Sequence, residues 1–349
     1  MKALLIGRVA QNEDLFDGQT VKTRNMYDLL KQIDEIDEVL LVDTFNYMRR
    51  LATLFIDLIK SMKKCDVIIL CVSINGRKLF FPLLYYLNHI FKKEVYHSLI
   101  GGRLKNNIDT HPSWKKYVKS FKANLVECRE IVHDLEKIGI YNGVYLPNFK
   151  KLPVVKAEEI TPYIQERIKF CTFSRVQKNK GIEEAILAIV SINEKKRGKV
   201  LLDIYGPIDE EFKDLFYDLI NKYSQYVNYK GCVDANQSVD IIKNYYALIF
   251  ATRYYNEGIP GTIIDALSAG IPVIARRWHY CDEMIDNHVT GYVYDFDEPD
   301  KLEDTIITSL ENHGNHLKMR MACIEKAHEY SVENAKDILS KCLITELAP

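Results

Sequence analysis

What this chain lacks narrows it before any motif is read. Its 349 residues carry 47 Lys and Arg against 48 Asp and Glu, a formal net charge of −1, so the total gives no sign of a polyelectrolyte partner. The eight cysteines (Cys65, Cys71, Cys128, Cys171, Cys232, Cys281, Cys323 and Cys342) form no Cys-x-x-Cys pair. That removes the common zinc and dithiol spacings, and several of them sit in apolar runs as small buried hydrophobes do. The first strand lacks Gly-x-Gly-x-x-Gly, so a dinucleotide site on it is not expected. No basic, apolar, small-residue leader precedes that strand, and with the scattered cysteines this predicts a reducing, cytoplasmic setting. The longest apolar segment, Leu79 to Phe91, is broken by Pro82, Asn88 and His89. It falls short of the ~20 residues a spanning helix needs, so membrane contact is expected to be peripheral.

What is present fits two α/β domains. Hydrophobic residues make up 47% of the chain, enough for two buried cores. Short apolar runs alternate with helical periodicity: Lys2–Ile6, Glu38–Val42, Asp66–Val72, Glu94–Gly102 and Ala123–Cys128, then Ile168–Phe173, Lys199–Tyr205, Val227–Gly231, Ala247–Phe250 and Ile271–Ala275. Such runs are the form of parallel strands covered on both faces. They predict one domain over 1–155, a second over 156–330 and a last helix in 331–349. The charged stretch 150–166, with Pro153 and Pro162, reads as the linker.

Charge is split between the halves: residues 1–150 hold 23 Lys and Arg against 17 Asp and Glu, and the remainder 24 against 31. Within the basic half, Met48 to Met62 reads as a basic amphipathic helix with apolar Leu51, Leu54, Phe55, Leu58 and Ile59 and with Arg49, Arg50, Lys60, Lys63 and Lys64 at its flanks. This suits either an anionic membrane surface or a helix packed on a sheet with solvated basic ends. Trp114 to Lys122 interleaves aromatics with lysines, but no RNA-binding motif accompanies it, and nucleic acid is not an expected partner.

The stretch from Phe250 to Ala275, FATRYYNEGIPGTIIDALSAGIPVIA, organises the second half. It reads as strand end, loop and helix start. A loop of Glu257-Gly258-Ile259-Pro260-Gly261-Thr262 entering a helix aims main-chain N–H groups without intrahelical partners at whatever lies in front, and such an end attracts phosphate. Glu257 precedes the helix and Asp265 lies about one turn inside it, so hydroxyl-accepting carboxylates flank an anion site. That combination suits a sugar joined to a diphosphate. An ordinary surface loop with a helix cap is the competing reading.

The order Glu-Gly-x-Pro, an acidic residue eight positions after the glutamate, then Ala-x-x-x-Gly-x-Pro-Val-Ile-Ala resembles the retaining GT-B glycosyltransferases of family four, also called glycosyl transferases group 1. The resemblance covers nearly the whole chain and is most specific in residues 168–293. The family signature is two glutamates separated by seven residues, whereas this chain has Glu257 followed by Asp265, one methylene shorter.

The resemblance implies two doubly wound, Rossmann-like domains facing a central cleft. The first would bind the acceptor and the second the nucleotide-sugar donor, with the last helix crossing back to the first. The implied activity is transfer of a sugar from a UDP or GDP sugar to an acceptor hydroxyl with retention, without metal or cofactor. The acceptor is expected to be a glycan or lipid-linked molecule in the synthesis of a bacterial capsule, O-antigen or exopolysaccharide, at the inner face of the membrane.

By the same resemblance Arg175 and Lys180 neutralise the diphosphate, and fixed cations of this kind stabilise a departing anion. Glu257 accepts from the sugar hydroxyls and Asp265 holds the ribose. Ile259, Pro260, Gly261 and Thr262 supply the helix end, Gly206 and Val233 lie against base and ribose, and Gly18 lets the backbone approach the ligand. His97, near the carboxyl end of a short strand, contacts the transferred sugar, with His111 a lesser rival. A catalytically idle glycan-binding or assembly protein of the same fold is the alternative that Asp265 keeps open.

Overall fold

The computed structural model describes residues 1–344 other than 12, 14 and 16, so positions 345–349 of the expected closing segment lie outside the described residues. The chain forms two compact units, the first made of Met1–Lys151 with the residues from Tyr330 onward, the second of Leu152–Glu329.

The first unit is built on six strands: β1 (Lys2–Gly7), β2 (Glu38–Asp43), β3 (Val67–Cys71), β4 (Glu94–Ser98), β5 (Ala123–Val126) and β6 (Gly143–Tyr145). They lie in the order β2-β1-β3-β4-β5-β6 and pair in parallel throughout. The second unit carries β7 (Ile168–Phe173), β8 (Val200–Tyr205), β9 (Val227–Gly231), β10 (Ala247–Phe250), β11 (Val273–Arg276) and β12 (Gly291–Tyr294). Their order is β12-β11-β10-β7-β8-β9, again all parallel. Both units are doubly wound α/β sheets. Every residue of β3, β5 and β10 is buried, while the edge strands β2 and β9 are mostly half-exposed. Helices on both faces keep these central strands buried along their length.

Several elements differ from the sequence expectation for local reasons. The helix expected from Met48 starts at Leu51, because Asn46 is left-handed (φ 51°) and a short 3-10 turn fills Tyr47–Arg49. Pro82 lies inside the helix Ile74–Phe91. That helix ends where the Asn88 side chain accepts from the Lys93 amide (2.7 Å) and donates to the Lys93 carbonyl (2.8 Å), with Lys92 in the left-handed region. The chain crosses between units at Lys151 and Leu152. Much of the stretch read as linker is packed on the second unit: Val155, Ile160 and Tyr163 are buried, the Val155 amide donates to the Ser268 carbonyl (2.8 Å) and the Lys169 amide to the Tyr163 hydroxyl (2.9 Å).

The helix Val332–Ile344 puts Ala335, Leu339, Cys342 and Leu343 into the core of the first unit with Met26, Leu29, Leu30 and Ile33. Among the described residues no helix is long and apolar enough to cross a membrane.

Candidate active site at the switch point of the second sheet

In an open α/β sheet the crevice for a ligand lies at the carboxyl ends of the strands, where successive connections change direction. In the second sheet that point falls between β7 and β10, which are neighbours although β8 and β9 lie between them in sequence. The two loops that leave it are 174–181 and 251–260. Arg175, Lys180, Glu257, Ile259 and Pro260 are on them.

Backbone contacts lock these loops together. Gly181 sits at φ +68°, and a Cβ there would overlap the Ala251 carbonyl oxygen. Only glycine permits that approach. The Arg253 amide donates to the Asn179 carbonyl (2.9 Å), and the Arg253 guanidinium pairs with Glu184. The 3-10 turn Lys178–Lys180 is thereby pressed against the end of β10, and the Lys180 ammonium forms a hydrogen-bonded ion pair with Glu257. Both side chains are largely covered. Lys180 also stands 5.7 Å from the centre of the Phe250 ring.

Behind the glutamate the loop is pinned by Trp278, which is fully buried. Its indole N–H donates to the Gly258 carbonyl (3.2 Å) and its ring meets Phe250 edge-on at 5.2 Å. Helix Gly261–Ser268 then starts after Pro260 with no side-chain cap and no acidic residue in its first turn. The Thr262 hydroxyl oxygen is buried there without a partner. An uncapped helix start of this kind can attract an anion. Ile259 is buried and Pro260 and Gly261 are half-buried, so what this loop offers is main chain.

The other expected residues fall as follows. Arg175 is exposed on the loop after β7. Gly206, at φ +128°, lets the loops after β7 and β8 touch, since a Cβ would overlap the Ser174 carbonyl oxygen; its amide donates to the Gly231 carbonyl (2.9 Å). Its requirement is met by backbone packing, which holds the Arg175 loop. Val233 is half-exposed after β9. Asp265 is buried and accepts from the Ser238 hydroxyl (3.2 Å), tying its helix to the start of helix Ser238–Ile242.

In the first unit, Gly18 begins the helix Gly18–Leu30, and a Cβ there would meet nothing within 4 Å. The Asp17 carboxylate already accepts from the Gln19 and Thr20 amides and pairs with Arg8, so this helix end carries its own anion. Burial raises the Asp17 carboxyl, but the Thr20 hydroxyl, Arg8 and the Thr20 amide outweigh it and hold the group below its ordinary value.

His97 lies in β4 and is wholly buried, edge-on to Phe81 at 5.0 Å and close to Phe121. Asn124 gives its own N–H groups to Val118 and Asn142, so its oxygen accepts from His97 Nδ1 (3.1 Å), and Nε2 is left buried without a partner. Burial first, then the charge of Arg77, holds this imidazole neutral, well below its ordinary pKa. The structure therefore places His97 as an interior side chain and does not bring it to any surface.

The switch point of the first sheet lies between β1 and β3. There a pocket of about 360 Å³ has a mixed lining, with Arg8, Gln19, Ser73 and Asn75 among its polar residues and Tyr47 and Phe80 among its aromatic ones. Sequence reading passed over three things: the steric role of Gly181, the support from Trp278, and this pocket. Lys-Gly at the end of a loop signalled the first; no local pattern signalled the other two.

Each unit carries a doubly wound sheet, and the second has Lys180 and an uncapped helix start at its switch point; two such units are the architecture of the GT-B fold. The profile of the family described as Glycosyl transferases group 1 matches residues 156–330, and the chain belongs to that family. An uncharacterised glycosyltransferase of Methanocaldococcus jannaschii is 24% identical over 241 residues, covering 68% of this chain and 58% of that protein. The matched part is thus less than two thirds of that relative's length. An uncharacterised 41.2 kDa protein in the cps region of Klebsiella pneumoniae is 23% identical over 320 residues, covering 85% of this chain and 84% of that one. Among solved structures, Anabaena HepE in complex with UDP superposes with a TM-score of 0.77 at 13% identity over 98% of this chain and 99% of that one. At that identity the likeness shows the GT-B fold alone.

Proposed function

We infer that this chain moves a sugar from a UDP or GDP sugar to a hydroxyl of a glycan or lipid-linked acceptor, with retention at the anomeric carbon. The observation that carries this reading is the Lys180–Glu257 pair at the uncapped start of helix Gly261–Ser268. Lys180, Arg175 and the helix amides take the charge that develops on the departing diphosphate. Glu257, oriented by Lys180, accepts from the sugar hydroxyls, and Asp265 with Val233 and Gly206 lies on the side of the ribose and base. In the step itself the bond from the anomeric carbon to the phosphate oxygen breaks on the face where the acceptor oxygen bonds. In this reading the leaving phosphate takes the acceptor proton, and no covalent glycosyl-enzyme intermediate forms.

The pocket at the switch point of the first sheet, with both polar and aromatic residues in its lining, suits the acceptor. Met48, Leu51, Phe55 and Ile56 are exposed beside Arg49, Arg50, Lys60, Lys63 and Lys64, a surface suited to the anionic inner face of a membrane. The setting of the Klebsiella relative supports a surface polysaccharide as the product.

The test is release of nucleoside diphosphate from a panel of nucleotide sugars, with binding of the bare diphosphates measured in parallel. Lys180→Ala is expected to weaken diphosphate binding by about 2 kcal/mol, roughly 30-fold, the worth of a charged hydrogen bond. Glu257→Ala is expected to keep diphosphate binding and lose on the order of 10²-fold in turnover. Background release that is the same in wild type and Glu257→Ala points to an idle binding protein instead.

A further inference from the structure

Along the carboxyl edge of the second sheet the loops follow the strand order. Those after β9 and β8 hold Val233 and Gly206, those after β7 and β10 hold the cations, the helix end and Glu257, and the next one outward, after β11, holds Arg277 to Tyr280. On the donor reading above, which sets base and ribose against Val233 and Gly206, a nucleotide sugar with its diphosphate at the switch point turns its sugar, or the sugar to which that is joined, toward the β10 and β11 loops.

Those loops present aromatic surface. Tyr254 and Tyr255, three and two residues before Glu257, are 39% and 46% exposed. Tyr255 is nevertheless held. Its carbonyl accepts from the His279 amide (2.8 Å), its hydroxyl lies 3.4 Å from His279 Nδ1, and its ring meets His279 at 5.4 Å and the Phe296 ring edge-on at 5.1 Å. Phe296 is backed in turn by Arg276, whose guanidinium covers its ring at 4.4 Å and donates to its carbonyl (2.6 Å). His279 packs against the buried Tyr280 at 4.5 Å. The segment that braces this tyrosine, Arg276 to Tyr280, also contains Trp278, which fixes the Glu257 loop through Gly258.

An aromatic ring that is open on the outside and fixed from behind loses little freedom when a ligand covers it. A pyranose has one face of C–H bonds and a rim of hydroxyls, and an aromatic face with polar atoms at its edge complements both. We propose that Tyr254, Tyr255 and His279 form a stacking shelf for a pyranose ring beside Glu257, with the Tyr255 hydroxyl and His279 meeting its hydroxyls. The proposal rests on the donor reading given above. The ring is either the hexosyl group of the donor or the terminal residue of the acceptor, and the two are separable by experiment.

Binding of UDP, GDP, UDP-glucose and GDP-mannose is measured by calorimetry on the full chain, and binding of methyl glucoside and methyl mannoside by saturation-transfer NMR. The variants are Tyr255→Ala, Tyr255→Phe and His279→Ala. Tyr255→Ala is expected to weaken one sugar-bearing ligand about tenfold, the scale of a lost aromatic contact, and to leave the bare diphosphate within about twofold of wild type. Tyr255→Phe keeps most of the sugar binding. Loss confined to the nucleotide sugar assigns the shelf to the donor, and loss confined to the methyl glycosides assigns it to the acceptor. Normal diphosphate binding with unchanged sugar binding in both alanine variants overturns the shelf alone. A wild type that binds neither diphosphate overturns the donor reading, and the shelf with it.

Discussion

Lys180 and Glu257 are 77 positions apart in the chain and share one hydrogen bond. Their meeting depends on Gly181, the residue that lets the first loop lie on the Ala251 carbonyl. Gly181→Ala forces both a left-handed alanine and a backbone overlap. It is expected to cost about 2–3 kcal/mol in urea unfolding and to weaken diphosphate binding, because Lys180 is displaced with the loop. A variant with wild-type midpoint and affinity sinks this role. His316 gives a second residue-scale outcome. Its ring stacks on Tyr246 at 4.1 Å, and its Nε2 donates to the Tyr246 carbonyl (2.8 Å). Burial lowers its pKa from 6.5 to about 4. The native state therefore keeps the ring neutral where the unfolded chain takes up a proton. Stability is full above pH 6.5 and is lost as pH falls toward 4, by about 2 kcal/mol at pH 5. His97, shifted in the same direction, adds to the loss. Urea midpoints at pH 7 and pH 5 check this, and His316→Gln should flatten the slope.

At the scale of one element, the anion site is proposed on helix Gly261–Ser268 because its N-cap residue, Pro260, supplies no side-chain cap. Helix Gly18–Leu30 shows the contrast, since Asp17 accepts from its first amides. The Thr262 hydroxyl separates ligand binding from folding. It is buried without a partner, so Thr262→Val removes an unsatisfied oxygen at constant shape. The expected result is a melting point equal to or above that of wild type, a gain of up to about 1 kcal/mol, together with weaker diphosphate binding in a thermal-shift titration. A melting point that falls while binding is unchanged overturns the assignment. That a helix starts here was legible from Gly-Ile-Pro-Gly-Thr, and the structure begins it at Gly261. That Asp265, one turn in, is buried against Ser238 was not, because the facing helix belongs to a distant part of the chain.

For the molecule as a whole, each unit has its own sheet and core, and the chain leaves the first unit at Lys151 and rejoins it at Tyr330. The last helix contributes Ala335, Leu339, Cys342 and Leu343 to the first core. Removing residues 331–349 exposes the surface of Met26, Leu29 and Leu30 that Ala335, Leu339, Cys342 and Leu343 cover. At ~25 cal/mol per Å² this is a loss of several kcal/mol from the first unit only. Hydrogen exchange should show protection lost from β1 and β3 to β5 while β7, β8, β10 and β11 keep theirs. Uniform loss in both units, or none, overturns it. The alternation of apolar runs and helical periods made most strands legible to within a residue or two. The three-residue β6 was missed because Gly143–Tyr145 is too short to show a period.

Taken alone, the amino-acid sequence determined the class of fold and the loops on which charge and glycine gather, because buried parallel strands and open helix starts leave their mark within a few neighbouring residues. It could not decide which of those residues meet. The tertiary structure joined Lys180 to Glu257, drew Asp265 and His97 inward, satisfied Gly206 with backbone, and set Tyr255 against His279 and Phe296. Each of these follows from strand order and close packing, which bring together segments separated by dozens of positions.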